Sequence, residues 1–186
     1  MAIGFQTNRF LALAASCIAL NLVAGKVANV LSLPVYLDSI GTIIGAALLP
    51  PWLALIVGLM TSILAWIVIH PAYLFYAGTQ LTIAAVALLA MRLDAFERLG
   101  TAIAAGIAIA AAAAIVSAPV TVLLFGGITV PGATAINAVL IAAGEGLWKS
   151  VIAGSAVVES MDKTAAAIVT WIILRRLPAR LIYRRG

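Results

Sequence analysis

The stretch Arg92-Leu-Asp-Ala-Phe-Glu-Arg98 is a short charged connection between two long apolar runs. Membrane proteins retain the Lys and Arg residues of short loops on the cytoplasmic side, so this stretch predicts a turn at the cytoplasmic face. The other arginines occur only near the beginning and the end of the chain: Arg9, Arg175, Arg176, Arg180, Arg184 and Arg185. We therefore expect all the arginines to mark one face of the bundle. The lysines lie in other segments and are expected to face outward: Lys26, Lys149 and Lys163.

The composition requires a membrane environment. Hydrophobic residues make up 65% of the 186 residues and charged residues only 9%, which leaves too little polar surface to coat a soluble domain. The net charge of +5 is concentrated in the basic tail, where it suits anionic lipid headgroups or an acidic partner rather than nucleic acid. The lone Cys17 excludes a disulfide framework. We expect one transmembrane domain over 1–186 and no nucleic-acid partner.

Apolar runs separated by Pro, Gly or charge predict six membrane spans. Their approximate ranges are 10–31, 36–49, 52–69, 72–91, 101–125 and 162–177. The region 133–158 is apolar enough for a seventh span, but Glu145 and Lys149 lie near its middle. An odd number of crossings would place the arginine-rich end opposite the 92–98 loop, so we interpret 126–161 as a structured outer loop with short helices. The predicted fold is thus an all-α integral membrane protein with six transmembrane helices and both termini cytoplasmic.

Polar residues are costly inside a bilayer, and in this topology they gather in its outer half. They recur at helical spacing on the first, second and fourth spans, and the fourth span adds two aromatic rings. The outer loop and the last span contribute further charged and aromatic residues. We expect an outward-facing small-molecule pocket formed by Asn21, Asn29, Tyr36, Asp38, Tyr73, Tyr76, Gln80, Glu145, Trp148, Lys149 and Lys163.

Simpler interpretations of these residues stay open. Two pairs have the i, i+4 spacing of ordinary helix-surface ion pairs: Glu145 with Lys149, and Glu159 with Lys163. Asp38 could cap the second helix or pair with a lysine. The two tyrosines of the fourth span could belong to an aromatic belt at the membrane interface. His70, before Pro71, fits a turn better than proton transfer.

A face of small residues on the first span predicts a protein contact. Ala12, Ala15, Ser16 and Ala19 form this face, and the Ala15-x-x-x-Ala19 spacing allows a second helix to approach closely. It points away from the polar stripe that begins at Asn21. Packing within the same bundle is the alternative, because such pairs are common in polytopic proteins.

Motifs for catalysis and nucleotide binding are absent from the sequence. It has no Gly-x-x-x-x-Gly-Lys-Ser/Thr loop, no His-Glu-x-x-His pair, no Gly-x-Ser-x-Gly elbow and no Cys/His cluster. We therefore expect neither an enzyme nor a protein with its own ATPase, and we expect no metal and no cofactor.

Five segments of the chain follow one another in a recognisable order: Leu33-Pro-Val-Tyr-Leu-Asp-Ser-Ile-Gly-Thr42, Leu49-Pro-Pro-Trp52, Phe125-Gly-Gly-Ile-Thr129, Glu159-Ser-Met-Asp-Lys163 and Arg175-Arg-Leu-Pro178. Together they resemble the substrate-binding S components of energy-coupling factor (ECF) transporters, and most closely the riboflavin-transporter-like branch. The resemblance covers most of the chain. Pro50, where relatives often have Gly, and the alanine-rich fifth span depart from the family pattern.

The resemblance implies a high-affinity binding subunit in the cell membrane of a prokaryote. Such a subunit captures a small vitamin or vitamin precursor of the B-vitamin class outside the cell, and a transmembrane T component with two ATPase subunits drives import. Its ligand would be enclosed by the loops matching 26–36 and 125–161 here. Coupling would use the small residues of the first helix, and the whole subunit would topple within the membrane. The alternative is a self-sufficient ion-coupled transporter or channel for a small solute.

Overall fold

A computed structural model describes residues 2–129, 131–178 and 183, with side chains described for 7–129, 133–178 and 183. The described residues form seven α-helices and one 3₁₀ helix, and they contain no strand. The α-helices are α1 (Ala2–Val30), α2 (Ile40–Leu48), α3 (Pro51–Val68), α4 (Ala77–Arg92), α5 (Leu99–Phe125), α6 (Pro131–Ala142) and α7 (Leu147–Arg176). The 3₁₀ helix, Pro71–Tyr76, directly precedes α4.

Four helical segments are long and apolar enough to cross a membrane, which suggests a membrane-embedded protein: Thr7–Val30, Pro51–Val68, Pro71–Arg92 and Leu99–Phe125. Helix α2 has only 9 residues, so at 1.5 Å per residue it covers about half of the hydrocarbon thickness. Helix α7 is long enough, with 30 residues, but it carries charged residues near its middle.

Contacts between helix ends show that the helices from α1 to α5 alternate in direction, with the short α2 counted among them. At one end, Phe10 of α1 contacts the ring of Tyr183, whose backbone N–H donates to Ala47 O near the end of α2. At the other end, Lys26 of α1 donates to Val68 O of α3. Tyr76 similarly joins the start of α4 to Thr121 near the end of α5.

The described arginines therefore lie at one end of the bundle, as the sequence predicts: Arg9, Arg92, Arg98, Arg175 and Arg176. We call this the basic end. Three further arginines of the predicted set, Arg180, Arg184 and Arg185, lie outside the described residues. The opposite end consists of the loop 31–39, the 3₁₀ helix, α6 and the first half of α7.

Glycines allow the helices to pack with their backbones close together. A Cβ at Gly41 of α2 would lie 2.0 Å from the carbonyl oxygen of Cys17 in α1. A Cβ at Gly106 of α5 would lie 2.9 Å from Thr164 Cα in α7. Buried alanines line the same face of α5, so the alanine-rich helix approaches α7 closely along much of its length.

Two predicted helix boundaries are wrong. The second helix begins at Ile40 rather than near residue 36, and the last begins at Leu147 rather than at Asp162. The predicted outer loop 126–161 contains α6 and the first 15 residues of α7. The sequence prediction interrupted the last helix at its charged residues, but Glu159, Asp162 and Lys163 are all buried inside the bundle, where they contact one another.

Candidate functional site

A cavity lies at the end opposite the basic end, between the loop 31–39, the 3₁₀ helix and helices α3, α4, α5 and α7. It holds about 510 Å³ of empty space, a volume that includes its open mouth. Its lining residues are Tyr36, Asp38, Ser62, Ala72, Tyr73, Tyr76, Thr79, Gln80, Ile83, Ser117, Thr129, Glu159 and Lys163.

A buried charge cluster forms one side of the cavity. Lys163, only 1% exposed, contacts Asp162 Oδ2 at 2.5 Å, Glu159 Oε2 at 3.3 Å and Asp38 Oδ1 at 3.6 Å. One ammonium group therefore faces three carboxylates. We call these four residues the acidic cluster.

The loop 31–39 is fixed to this cluster through a strained residue. Leu37 has φ of 53°, in the left-handed region that side chains other than Gly rarely adopt. Its backbone N–H donates to Asp162 Oδ1 at 2.7 Å. Because Asp162 also pairs with Lys163, this carboxylate has a partner on both oxygens, and it places the neighbouring residues Tyr36 and Asp38 at the cavity.

The charges of the acidic cluster act on both loop residues, Tyr36 and Asp38. The ammonium of Lys163 lies 5.6 Å from the centre of the Tyr36 ring, in a cation–π contact. Burial, and after it the negative charge of Glu159, raises the pKa of the Tyr36 phenol well above its ordinary value, so its hydroxyl stays neutral. Burial also raises the pKa of the Asp38 carboxyl group, while the ammonium of Lys163 opposes that shift.

Aromatic side chains form another wall. The Tyr76 ring stacks on Phe125 at 5.9 Å, and its hydroxyl makes a 2.7 Å hydrogen bond with Thr121 Oγ1. Tyr73 is buried beside it. The 3₁₀ helix that carries both tyrosines begins at Pro71 and is capped by His70, whose Nδ1 accepts from Ala72 N. His70 thus has the turn role that its position before Pro71 indicates.

The cavity lining contains buried polar atoms without a hydrogen-bond partner. Among the described residues, three of them are hydroxyl oxygens: Ser62 Oγ, Thr79 Oγ1 and Thr129 Oγ1. The carboxylate oxygens Asp38 Oδ1 and Glu159 Oε2 also make no hydrogen bond, but both lie at ion-pair distance from Lys163. Buried polar groups are nearly always hydrogen-bonded, and each unpaired one is costly. A serine or threonine in a helix can bond to its own backbone, as Thr61 does to Val57 O. Ser62 and Thr79 do not, so their hydroxyls are available to a bound molecule.

Six of the eleven predicted site residues line the cavity: Tyr36, Asp38, Tyr73, Tyr76, Gln80 and Lys163. Gln80 is partly committed, because its Nε2 donates to the backbone oxygen of Asp38 at 3.1 Å. Ligand binding by these residues stays a prediction.

Two predicted residues of α1 do not line the cavity. Asn21 is fully buried, and its amide joins three helices by donating to Thr42 Oγ1 and Thr61 Oγ1 and accepting from Gly41 N. These bonds use both of its N–H groups and its oxygen, so its role here is structural. Asn29 has a buried Nδ2 without a hydrogen-bond partner, but it too lies outside the lining.

The predicted residues at the start of α7 also lie outside the lining. Trp148 is 49% exposed. Lys149 and Glu145 make a 2.7 Å ion pair on the protein surface, with their side chains 73% and 40% exposed. This is the surface ion pair that its spacing left open, although Glu145 precedes α7, whereas Glu159 and Lys163, at the same spacing, are buried at the cavity.

Sequence reasoning missed four polar lining residues: Ser62, Thr79, Ser117 and Thr129. Single hydroxyl residues in apolar helices give no periodic signal. Glu159, whose spacing from Lys163 predicts an ion pair, lies one turn before Lys163 on the same face of α7 and also lines the cavity. Its Oε1 accepts a weak 3.4 Å hydrogen bond from Ser117 of α5.

The small-residue face of α1 is exposed. Ala12, Ala15, Ser16 and Ala19 point away from the bundle, while Cys17 and Asn21 point into it. Among the described residues, none therefore packs over this face, as it would in the alternative that the sequence left open. We call these four residues the small face.

Comparison with known proteins gives no relationship for this chain: no protein-family model, no curated protein and no solved structure matches it.

Proposed function

We propose that the chain is a membrane-embedded binding subunit for a small vitamin or vitamin precursor of the B-vitamin class. It would deliver its ligand to an ATPase-driven ECF module in the cell membrane of a prokaryote. The observation that carries the proposal is the cavity, which combines three tyrosine side chains with three buried hydroxyl groups that have no hydrogen-bond partner among the described residues. A flat, hydrogen-bonding molecule fits such a lining.

The surface supports the coupling part of the proposal. The exposed small face lets another helix approach α1 closely, as the T component of an ECF module would. It lies in the half of α1 nearer the basic end, so a partner there would leave the mouth of the cavity free. The sequence contains no phosphate-binding loop, so energy would have to come from the ATPase partners.

Isothermal calorimetry on the purified protein with individual B vitamins and their precursors tests the proposal. We expect one of them to bind at one molecule per chain, with the affinity reduced at least tenfold by Tyr76→Ala. Trp148→Ala is the matched control, because it removes an aromatic ring from outside the cavity. Equal loss in both variants would move the binding site away from the cavity.

A second candidate function is a self-sufficient ion-coupled transporter for a small solute. The acidic cluster favours it, because buried carboxylates in transport proteins often serve proton or ion coupling. Uptake by proteoliposomes that contain the chain alone, driven by a pH or sodium gradient, would support this candidate. Uptake only after addition of an ECF module would support the binding subunit.

The proposed orientation places the basic end in the cytoplasm, with six spans formed by α1 to α5 and α7. In a Cys17→Ala background, a membrane-impermeant maleimide added to intact cells should label Lys149→Cys. It should label Glu97→Cys, in the 92–98 loop, only after permeabilisation. The reverse pattern would invert the orientation.

A further inference from the structure

We propose that the ligand of the cavity carries a positively charged nitrogen, as in a protonated amine or amidine on a small aromatic ring, and that Glu159 and Asp38 bind this group. The inference rests on the proposed function and names the chemical class of its ligand.

The first step is the charge of the acidic cluster. Asp38, Glu159 and Asp162 face the single ammonium of Lys163, which gives the four residues a formal charge of −2. The other described lysines do not compensate, because Lys26 donates to Val68 O and Lys149 pairs with Glu145 on the surface. Uncompensated charge is expensive at a buried site, so a cationic ligand would be favoured there.

The second step is the division of contacts within the cluster. Asp162 makes the shortest contact with Lys163, and its second oxygen accepts from Leu37 N, so it needs no further donor. Glu159 and Asp38 contact the same ammonium at the longer distances of 3.3 and 3.6 Å. Only these two carboxylates line the cavity, and the oxygen of each that faces Lys163 has this long ion-pair contact but no hydrogen bond.

The third step is the chemistry of these two carboxylates. Carboxylate oxygens are strong hydrogen-bond acceptors, and the shared ammonium reaches these two only at long distance, so each can accept a hydrogen bond from a further donor in the cavity. A protonated amine or amidine supplies several N–H donors together with the missing positive charge. The tyrosine rings beside the carboxylates also favour a cation, through their negative faces.

The arrangement does not fit a metal ion as well. Among the described side chains, no group of three or more His, Cys, Asp and Glu residues converges in a way that could hold one. A metal ion would need several carboxylate oxygens at bonding distance, and the ammonium of Lys163 occupies the position between the carboxylates. An organic cation needs only hydrogen-bond acceptors on the cavity side of Glu159 and Asp38, and it can place its ring among the tyrosines.

Matched pairs of probes test the inference by calorimetry. Pyridoxamine and pyridoxine differ by an aminomethyl in place of a hydroxymethyl group, and benzamidine and benzamide differ in the charge of one small group. We expect the cationic member of each pair to bind at least about tenfold more tightly, the factor of one charge-assisted hydrogen bond. This preference should fall below about threefold in Glu159→Gln and in Asp38→Asn.

The ratio within each pair is the readout, so a lower fraction of folded protein in a variant does not change it. Glu145→Gln is the control, because it removes a carboxylate from the same region of the chain but outside the cavity, and it should keep the full preference. Equal or tighter binding of the neutral members by the wild type overturns the inference, as does an undiminished preference in both cavity variants.

The proposed function has a separate outcome. If neither pair binds but a neutral or anionic vitamin, such as riboflavin or pantothenate, does, the inference fails and the binding subunit stands. If no vitamin binds at all, both fail.

Discussion

Replacing Lys163 by Met should destabilise the protein far more than the same change at Lys149. The two lysines make a near-matched experiment, since they lie on α7 and each lies four residues after a glutamate with which it pairs. They differ in burial: the Lys163 and Glu159 side chains are 1% and 3% exposed, against 73% and 40% for Lys149 and Glu145.

The magnitudes follow from that difference. Removal of one partner from a buried ion pair typically costs about 3–5 kcal/mol, because a charge is left in a poorly solvated site. Lys163→Met would leave three carboxylates without their cation, so we expect a loss of stability at the upper part of this range. Lys149→Met removes an exposed i, i+4 pair, which is worth about 0.3–0.5 kcal/mol.

Thermal unfolding in detergent micelles, followed by the loss of the monodisperse peak in size-exclusion chromatography, measures both effects. We expect a clear decrease in midpoint temperature for Lys163→Met and almost none for Lys149→Met. The double variant Lys163→Met/Glu159→Gln should recover part of the loss, because it removes one of the uncompensated carboxylates. Similar midpoints for the two single variants would refute the buried acidic cluster.

Other predictions concern packing, coupling and hydrogen bonding. Gly41→Ala should lower the unfolding midpoint, because its Cβ would overlap the Cys17 carbonyl and force α1 and α2 apart by about 1 Å, at a cost of about 1–3 kcal/mol. The control Gly45→Ala, whose Cβ would meet its nearest neighbour at 3.4 Å, should be neutral or stabilising, and equal midpoints for the two variants would contradict the close approach of α1 and α2. Ala15→Trp should abolish co-purification with an ECF module while calorimetry shows unchanged ligand affinity, whereas retained co-purification would remove the small face from the coupling contact. Tyr76→Phe should cost about 1 kcal/mol of stability through the lost hydrogen bond, with thermal unfolding as the measurement and an unchanged midpoint as the contrary result.

Apolar runs and charge asymmetry were sufficient to predict much of the fold. The charged turn at 92–98 and the Pro50-Pro51 break both lie between helices, and the described arginines share the basic end. These features follow from local properties, namely the cost of a buried charge and the geometry of proline. The last helix was harder, because its charges suggest a boundary unless their partners are known. Lys163 of this helix pairs with Asp38, which lies 125 residues earlier in the chain, and only the tertiary structure brings the two together.

The residues of the candidate site were also only partly predictable from the sequence. Aromatic and charged residues near predicted helix ends led to six lining residues, because large polar side chains have few inexpensive positions in a bilayer. Asn21 gives the same sequence signal, yet its hydrogen bonds are used up in joining α1, α2 and α3. Whether a buried amide serves the fold or a ligand depends on its neighbours, and those neighbours come from other helices.

The central claim, that the cavity holds a small molecule, is tested most directly by native mass spectrometry of the protein released from detergent micelles. The account predicts a wild-type species carrying one small molecule per chain, lost in Tyr76→Ala and retained in Trp148→Ala. A wild-type protein that carries no such molecule after incubation with the B vitamins, or one retained equally by both variants, would contradict it.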